Sequence, residues 1–261
     1  MKKLFTALPL TLALAYALSQ HLSPASTTAS PAADAGGTVA TRFRDCSTLF
    51  YQQQPPQIPE SVQADGVREL CFADFAVLHS SSTRSPVFAA EKLSAHSLGD
   101  AADEKRTDRF YEEARLPGAE RGRLADYRGS GYDRGHMAAA AQRTTPEAMA
   151  QSFSLANMVP QAAENNRGVW ARAVEAATRK YVKRASGEVY VITGPYYDPQ
   201  IAPHYTGHVR VPDALYKLVF DPTAGKSWVY WTANANVSKP DRLSYAELVK
   251  RTGIHYFPAM P

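Results

Sequence analysis

The chain is short of cysteine: Cys46 and Cys71 are the only two among 261 residues. No histidine lies near either at ligand spacing, which excludes the Cys/His zinc modules. Long apolar runs are also missing. The longest, Leu4 to Ala17, is broken by Thr6, Pro9 and Thr11 and falls short of the ~20 residues a bilayer span needs. No internal repeat is visible, so solenoid and propeller architectures drop out. A large excess of one charge is missing as well. Dropping Lys2 and Lys3 from the 29 basic residues leaves 27 against 25 acidic ones. Global charge therefore argues for no polyanionic partner, and any such partner must be met by a local cluster.

What is present begins with an export signal. Lys2 and Lys3 form a charged start, the apolar run follows, and Ala15-Tyr16-Ala17 fits the small-x-small pattern before a cleavage site. Residues 1–22 read as a signal peptide, the alternative being an uncleaved anchor. The product would be periplasmic or secreted, with no membrane segment after cleavage. In that setting Cys46 and Cys71 read most simply as a disulfide, against the alternative of two buried thiols. Residues 23–45 are rich in Ser, Thr, Ala, Pro and Gly and read as a disordered leader. Ordered structure is expected from near Cys46, giving one folded domain over 46–261.

Within that domain Phe72 to His79 and Pro86 to Leu93 read as paired strands, and Glu188 to Gly194, His208 to Val211, Leu215 to Asp221 and Ser227 to Asn234 as four more. Thr145-Pro146-Glu147 opens a short helix with a hydroxyl cap, proline at the first helical position and an acid at the positive end of the dipole. Ser244-Tyr245-Ala246-Glu247 is a capping box, and Gly253 closes its helix. A helix is expected from about Asn166 to Ala185, with Trp170, Val174, Ala177 and Tyr181 on one stripe. The mixed order of elements points to an α+β fold with a central antiparallel-rich sheet flanked by helices. Residues 103 to 128 carry many charges of both signs and read as a solvated face, from which Arg121, Arg123 or Arg128 could reach a substrate. Trp228, Tyr230 and Trp231 read as core and sheet-face residues rather than a base-stacking platform.

Two stretches carry the chemistry. Gly131 to Met137 places Asp133, Arg134, Gly135 and His136 in succession, in what reads as a loop with a tight backbone path at Gly135. An imidazole titrates near neutrality and can take a proton from water. A guanidinium matches phosphate oxygens in a fork. The second stretch, Asn157 to Glu175, offers Asn166 at a helix start. Its amide oxygen suits Mg²⁺, which takes few protein ligands and keeps several waters, and its ordinary use would be an N-cap.

The run Tyr132 to Ala138, together with Leu155 to Trp170, resembles the DNA/RNA non-specific endonucleases, the DRGH-type ββα-metal nucleases that include secreted sugar-non-specific nucleases and endonuclease G. The matching motifs are D-R-G-H, then N-x-x-P-Q, then N-x-G-x-W; weaker similarity spans roughly Phe75 to Pro258. The resemblance implies a Mg²⁺-dependent hydrolysis of DNA and RNA with little sequence preference, with Mn²⁺ as the alternative ion. It implies that His136 is the general base, Asn166 the direct metal ligand, Arg134 a phosphate contact, Asp133 an orienting acid, and Asn157 a structural support. Arg167 and Arg179 would bind substrate through phosphates. A dedicated inhibitor protein is a further partner it allows. The alternative reading is an exported nucleic-acid-binding module without catalysis.

The chain departs from the family pattern at two places. Ala139 stands where proline is common. Members also carry a glutamate eight residues after the metal asparagine, whereas here that position is Val174 and the acid is Glu175. On an ideal helix nine steps of ~100° would turn Glu175 away from Asn166. A one-residue insertion in a helix is the signature of a π-bulge. Such an irregularity is therefore expected between Trp170 and Glu175, returning Glu175 to the metal-water shell and Arg179 to the phosphate side.

Overall fold

The computed structural model describes residues 37–258. The signal peptide and most of the leader lie outside the described residues. Order begins earlier than Cys46: β1 (Thr38–Ala40) pairs antiparallel with β2 (Gln57–Pro59), and Phe43 is 1% exposed. The reason is that Phe43, Phe50 and Ile58 are apolar punctuation in a polar stretch, and together they cover one face of the main sheet. The disulfide joins Cys46 to Cys71 with Cα atoms 5.7 Å apart, tying this N-terminal cover to the sheet edge.

After α1 (Glu60–Ala64), the strands β3 (Val67–Cys71), β4 (Phe75–Ser80) and β5 (Ser85–Leu93) form a meander, followed by α2 (Ala95–Asp100) and α3 (Leu124–Tyr127). Next come β6 (Tyr132–His136), α4 (Pro146–Ser152) and β7 (Met158–Ala162). A π-helix (Asn165–Glu175) runs directly into α5 (Ala176–Val182). The rest comprises β8 (Val189–Tyr196), β9 (Tyr205–Thr206), β10 (Val209–Arg210), β11 (Ala214–Asp221), β12 (Lys226–Ala233), β13 (Asp241–Leu243) and α6 (Tyr245–Thr252).

One seven-stranded sheet has the order β13-β12-β11-β8-β5-β4-β3, antiparallel throughout. Both faces are covered, so its central strands are buried from end to end, as β4 and β11 are. Alternation sorts their side chains. Phe75 and Val77 join Met137, Val159, Trp170, Val174 and Val182 on one face. Ala76 and Leu78 join Phe43, Ile58, Leu248 and Tyr256 on the other. The expected strand His208 to Val211 does not enter this sheet. Only Val209–Arg210 is extended, paired with Tyr205–Thr206. Trp228 is half-buried, and Tyr230 and Trp231 are 3% and 8% exposed. Among the described residues no helix is long and apolar enough to cross a membrane.

Both expected caps form. Thr145 accepts from the Ala148 N–H, and Ser244 and Glu247 make the reciprocal box, with Gly253 at φ 69° behind them.

Candidate active site

The D-R-G-H stretch is a strand rather than a loop. Gly129 and Gly131, at φ 66° and 80°, make the turn before it, and Tyr132–His136 then pairs with β7, Asp133 opposite Gln161 and His136 opposite Met158. Glycine-rich composition made it look irregular, but a partner strand arriving from 22 or more residues downstream supplies the missing ladder. Gly135 is needed for proximity, not for a tight turn. A Cβ there would overlap Gln161 Oε1 and lie 2.7 Å from the Gln161 Cβ. Gln161 is fully buried and donates Nε2–H to Asn165 Oδ1 at 2.8 Å, and Asn165 in turn holds the carbonyls of Ala233 and Ala235. The strand pair is thus pinned to the start of the π-helix. Asn157 staples the far end: its Oδ1 accepts from Ala138 N, and its Nδ2 donates to Ala138 O and Ser152 O.

The helix after Asn165 is π-helical through Glu175. Gly168 is its non-helical point (φ −98°, ψ −108°), and the Ala176 N–H donates five residues back, to Ala171 O. Trp170 and Val174 both reach the core, at 1% and 0% exposure. Glu175 faces inward with a side chain 17% exposed, where a regular helix over nine steps would aim it at solvent.

A cleft of ≈ 710 Å³ brings together Asp133, Arg134, Asn166 and Arg167, with Arg106, Arg128, Phe110, Leu124 and Tyr132 around them. Asp133 accepts from Arg167 Nη2 at 2.5 Å, Arg167 Nε at 2.8 Å and Asn166 Nδ2 at 2.9 Å. Burial raises its pKa, but the hydrogen bonds from Arg167 and Asn166 outweigh that and hold it below the usual range. The guanidinium of Arg134 lies 4.0 Å over the Phe110 ring. Of the three candidate arginines ahead of the strand, Arg128 lines the cleft. Arg121 and Arg123 instead donate to the carbonyls of Glu113 and Gly118.

His136, Glu175 and Arg179 lie outside the cleft lining. His136 is 9% exposed, and its ring packs on Phe153 at 4.9 Å and Phe110 at 5.8 Å. Its Nε2 is buried without a hydrogen-bond partner. Burial, then the charges of Arg106, Arg143 and Arg134, push its pKa down to about 3, so the ring is neutral at pH 7. Glu175 Oε2 lies 3.9 Å from Arg179 Nη1. Burial raises its pKa, against the pull of Lys217, Arg179 and Arg106.

Behind them runs a buried row of alternating charge. Arg143 is ion-paired to both Asp74 and Glu91; Lys217 Nζ donates to Thr193 Oγ1 at 2.5 Å and lies 3.8 Å from Glu91 Oε2; Lys217 is also the leading charge on Glu175. Arg106, Phe110, Glu91, Arg143 and Lys217 escaped the sequence reading. The readable signal was a lone charge inside an apolar strand, as at Glu91 and Lys217, since such charges need buried partners.

Among the described residues no cluster of three or more His, Cys, Asp or Glu could hold a metal. The donor set that fits a hard cation is one amide oxygen: Asn166 lines the cleft, and its Nδ2 is committed to Asp133. One protein oxygen with the remaining positions left to water and phosphate suits Mg²⁺.

A histidine-bearing antiparallel pair backed by a helix that presents an asparagine is the core of a ββα-metal nuclease. A family model for DNA/RNA non-specific endonucleases matches residues 56–261, and the chain belongs to that family. It is 30% identical to the zebrafish (Danio rerio) mitochondrial nuclease EXOG over 78% of this chain and 63% of that protein. It is 37% identical to nuclease C1 of Cunninghamella echinulata over 60% of this chain and 66% of that one. The chain thus spans just under two thirds of these relatives. A crystal structure of an EndoG/EndoGI complex, concerned with the mechanism of EndoG inhibition, superposes with TM-score 0.63 and 28% identity over 74% of this chain and 86% of that one.

Proposed function

We propose that the chain is an exported, Mg²⁺-dependent endonuclease that hydrolyses DNA and RNA phosphodiesters with little sequence preference. The observation that carries this is a partnerless His136 Nε2, on a ring packed against Phe110 of the cleft wall, together with a cleft that holds Asn166 beside four arginines. Arg106, Arg128, Arg134 and Arg167 match phosphate, and phosphate carries no sequence information. His136 accepts the proton of the attacking water. Arg134 offsets charge developing on the phosphoryl oxygens. Asp133 holds Asn166 and Arg167 in register through its two oxygens. Asn166 would hold the ion; when bound, Mg²⁺ supplies Lewis-acid stabilisation of the leaving 3′-oxygen. Glu175 and Arg179 support the site from beneath.

Export rests on the charged-then-apolar N-terminus, and the Cys46–Cys71 bridge supports an oxidising compartment. The EndoG/EndoGI complex supports an inhibitor protein as a further partner class. A digest of plasmid DNA and of RNA, with and without EDTA, tests the reading. Both substrates are cut in Mg²⁺ and neither in EDTA. Digestion that persists in EDTA contradicts the metal, and no digestion in Mg²⁺ leaves only the binding-module reading.

A further inference from the structure

One wall of the cleft has no part in the phosphate chemistry above. Tyr132, first residue of β6, and Leu124, first residue of α3, line the same cleft as Asn166 and Arg167. Leu124 is 38% exposed. Next to Tyr132 lies the ring of His204, with centroids 6.1 Å apart and planes at 55°. His204 is exposed and Tyr132 half-buried. Other rings around the sheet and cleft have a guanidinium laid over them: Arg134 over Phe110, Arg242 over Tyr230, Arg251 over Trp231. Among the described residues none lies over Tyr132 or His204. One ring and an aliphatic side chain therefore line the cleft that the arginines also line, with the His204 ring packed beside Tyr132, and Tyr132 is the chain neighbour of Asp133.

We propose that Tyr132 and His204 form a shelf on which an unpaired base beside the bound phosphate stacks, so that the cleft takes single-stranded nucleic acid in preference to duplex. The proposal rests on the nuclease reading and adds to it the state of the strand. Arginine contacts to the backbone serve a duplex and a single strand alike. A duplex keeps its bases stacked on one another, whereas a single strand offers their faces. Stacking on an aromatic side chain tolerates any base, because every base has a π-face. Such a shelf therefore adds affinity without adding sequence preference.

The test measures binding by fluorescence anisotropy, with the full protein in EDTA so that nothing is cut. The probes are a labelled oligothymidine, the same strand annealed to oligoadenosine, and an abasic strand of the same length. The base-bearing strand binds about tenfold tighter, the lower range of one stacked base. Tyr132→Ala removes that ratio while leaving affinity for the abasic strand, and Tyr132→Phe keeps it. His204→Ala, at an exposed position, reduces the ratio and serves if Tyr132→Ala fails to fold. Equal binding of the base-bearing and abasic strands by wild type, binding of the duplex as tight as that of the single strand, or a ratio unchanged in both alanine variants, overturns the shelf. Binding and cleavage separate the two claims. A protein that cuts in Mg²⁺ but binds both strands alike keeps the nuclease reading and loses the shelf. One that prefers the base-bearing strand but cuts nothing keeps the shelf and loses the nuclease reading.

Discussion

Gly135 and Gln161 occupy one space: a Cβ on the glycine would overlap the glutamine's Oε1 and fall 2.7 Å from its Cβ. The glycine lies one residue before His136, and the glutamine holds Asn165 at the start of the helix that carries Asn166. Closeness of these two positions ties the strand that carries His136, the proposed base, to the helix that carries Asn166, the proposed metal ligand.

Gly135→Ala is therefore expected to destabilise the fold by ~1–3 kcal/mol, the range for overpacking a well-filled site, and to abolish cutting. The double variant Gly135→Ala with Gln161→Ala recovers part of the melting temperature, since the overlap with Oε1 is gone while the Cβ contact at 2.7 Å remains. Thermal denaturation of all three proteins measures the coupling. Additive losses would show that the two positions do not compete.

Cys46 and Cys71 close a loop of separation 25. Cys46→Ser with Cys71→Ser should cost ~3–4 kcal/mol on the chain-entropy account. The bond ties down the N-terminal cover on the sheet face away from the cleft, so the rate well below the melting temperature stays at the wild-type level. A denaturant midpoint that does not move would show that the cover is held by Phe43 and Ile58 alone.

The buried histidines set an acid limit on stability. His136 is pushed down to about 3, by burial first and then by neighbouring arginines, and His79 to about 4, by burial. Both folded pKa values lie below the ordinary value of 6.5. The unfolded chain thus binds the extra protons between these limits. The stabilisation is complete above about pH 6.5 and drains away as pH falls toward 3–4. Each histidine loses ~1.4 kcal/mol for every pH step of one across that window. Melting temperature should drop accordingly, and His136→Asn should make the drop shallower. A flat profile would mean that the rings are hydrated.

Much of this architecture could be read from the chain. The paired strands around Val77 and Ala89, the caps at Thr145 and Ser244, and the irregular helix before Glu175 all follow from local pattern or from a one-residue offset. What could not be read depends on distant partners. The D-R-G-H stretch becomes a strand only because Met158–Ala162 arrives beside it. Arg106 and Phe110 were hidden in a run of mixed charge, where nothing local separates a cleft residue from a solvated one. Glu91 and Lys217 reveal their pairing only when β5, β8 and β11 lie side by side. Phe43 was masked by its Ser- and Ala-rich surroundings.

Four arginines around one cleft predict salt-sensitive binding. The logarithm of affinity for a DNA strand should fall linearly with the logarithm of salt concentration. Arg128→Ala and Arg106→Ala should each weaken binding for all sequences alike and reduce the slope by about 1. An unchanged slope in both would remove these side chains from the phosphate path.

The most direct measurement compares wild type with His136→Ala, at matched melting temperature, on plasmid DNA and on RNA in Mg²⁺. Loss of a general base predicts a fall of ~10²–10⁴-fold in cutting of both substrates, with binding in EDTA unchanged. Cutting at the wild-type rate by His136→Ala would contradict the account at its centre.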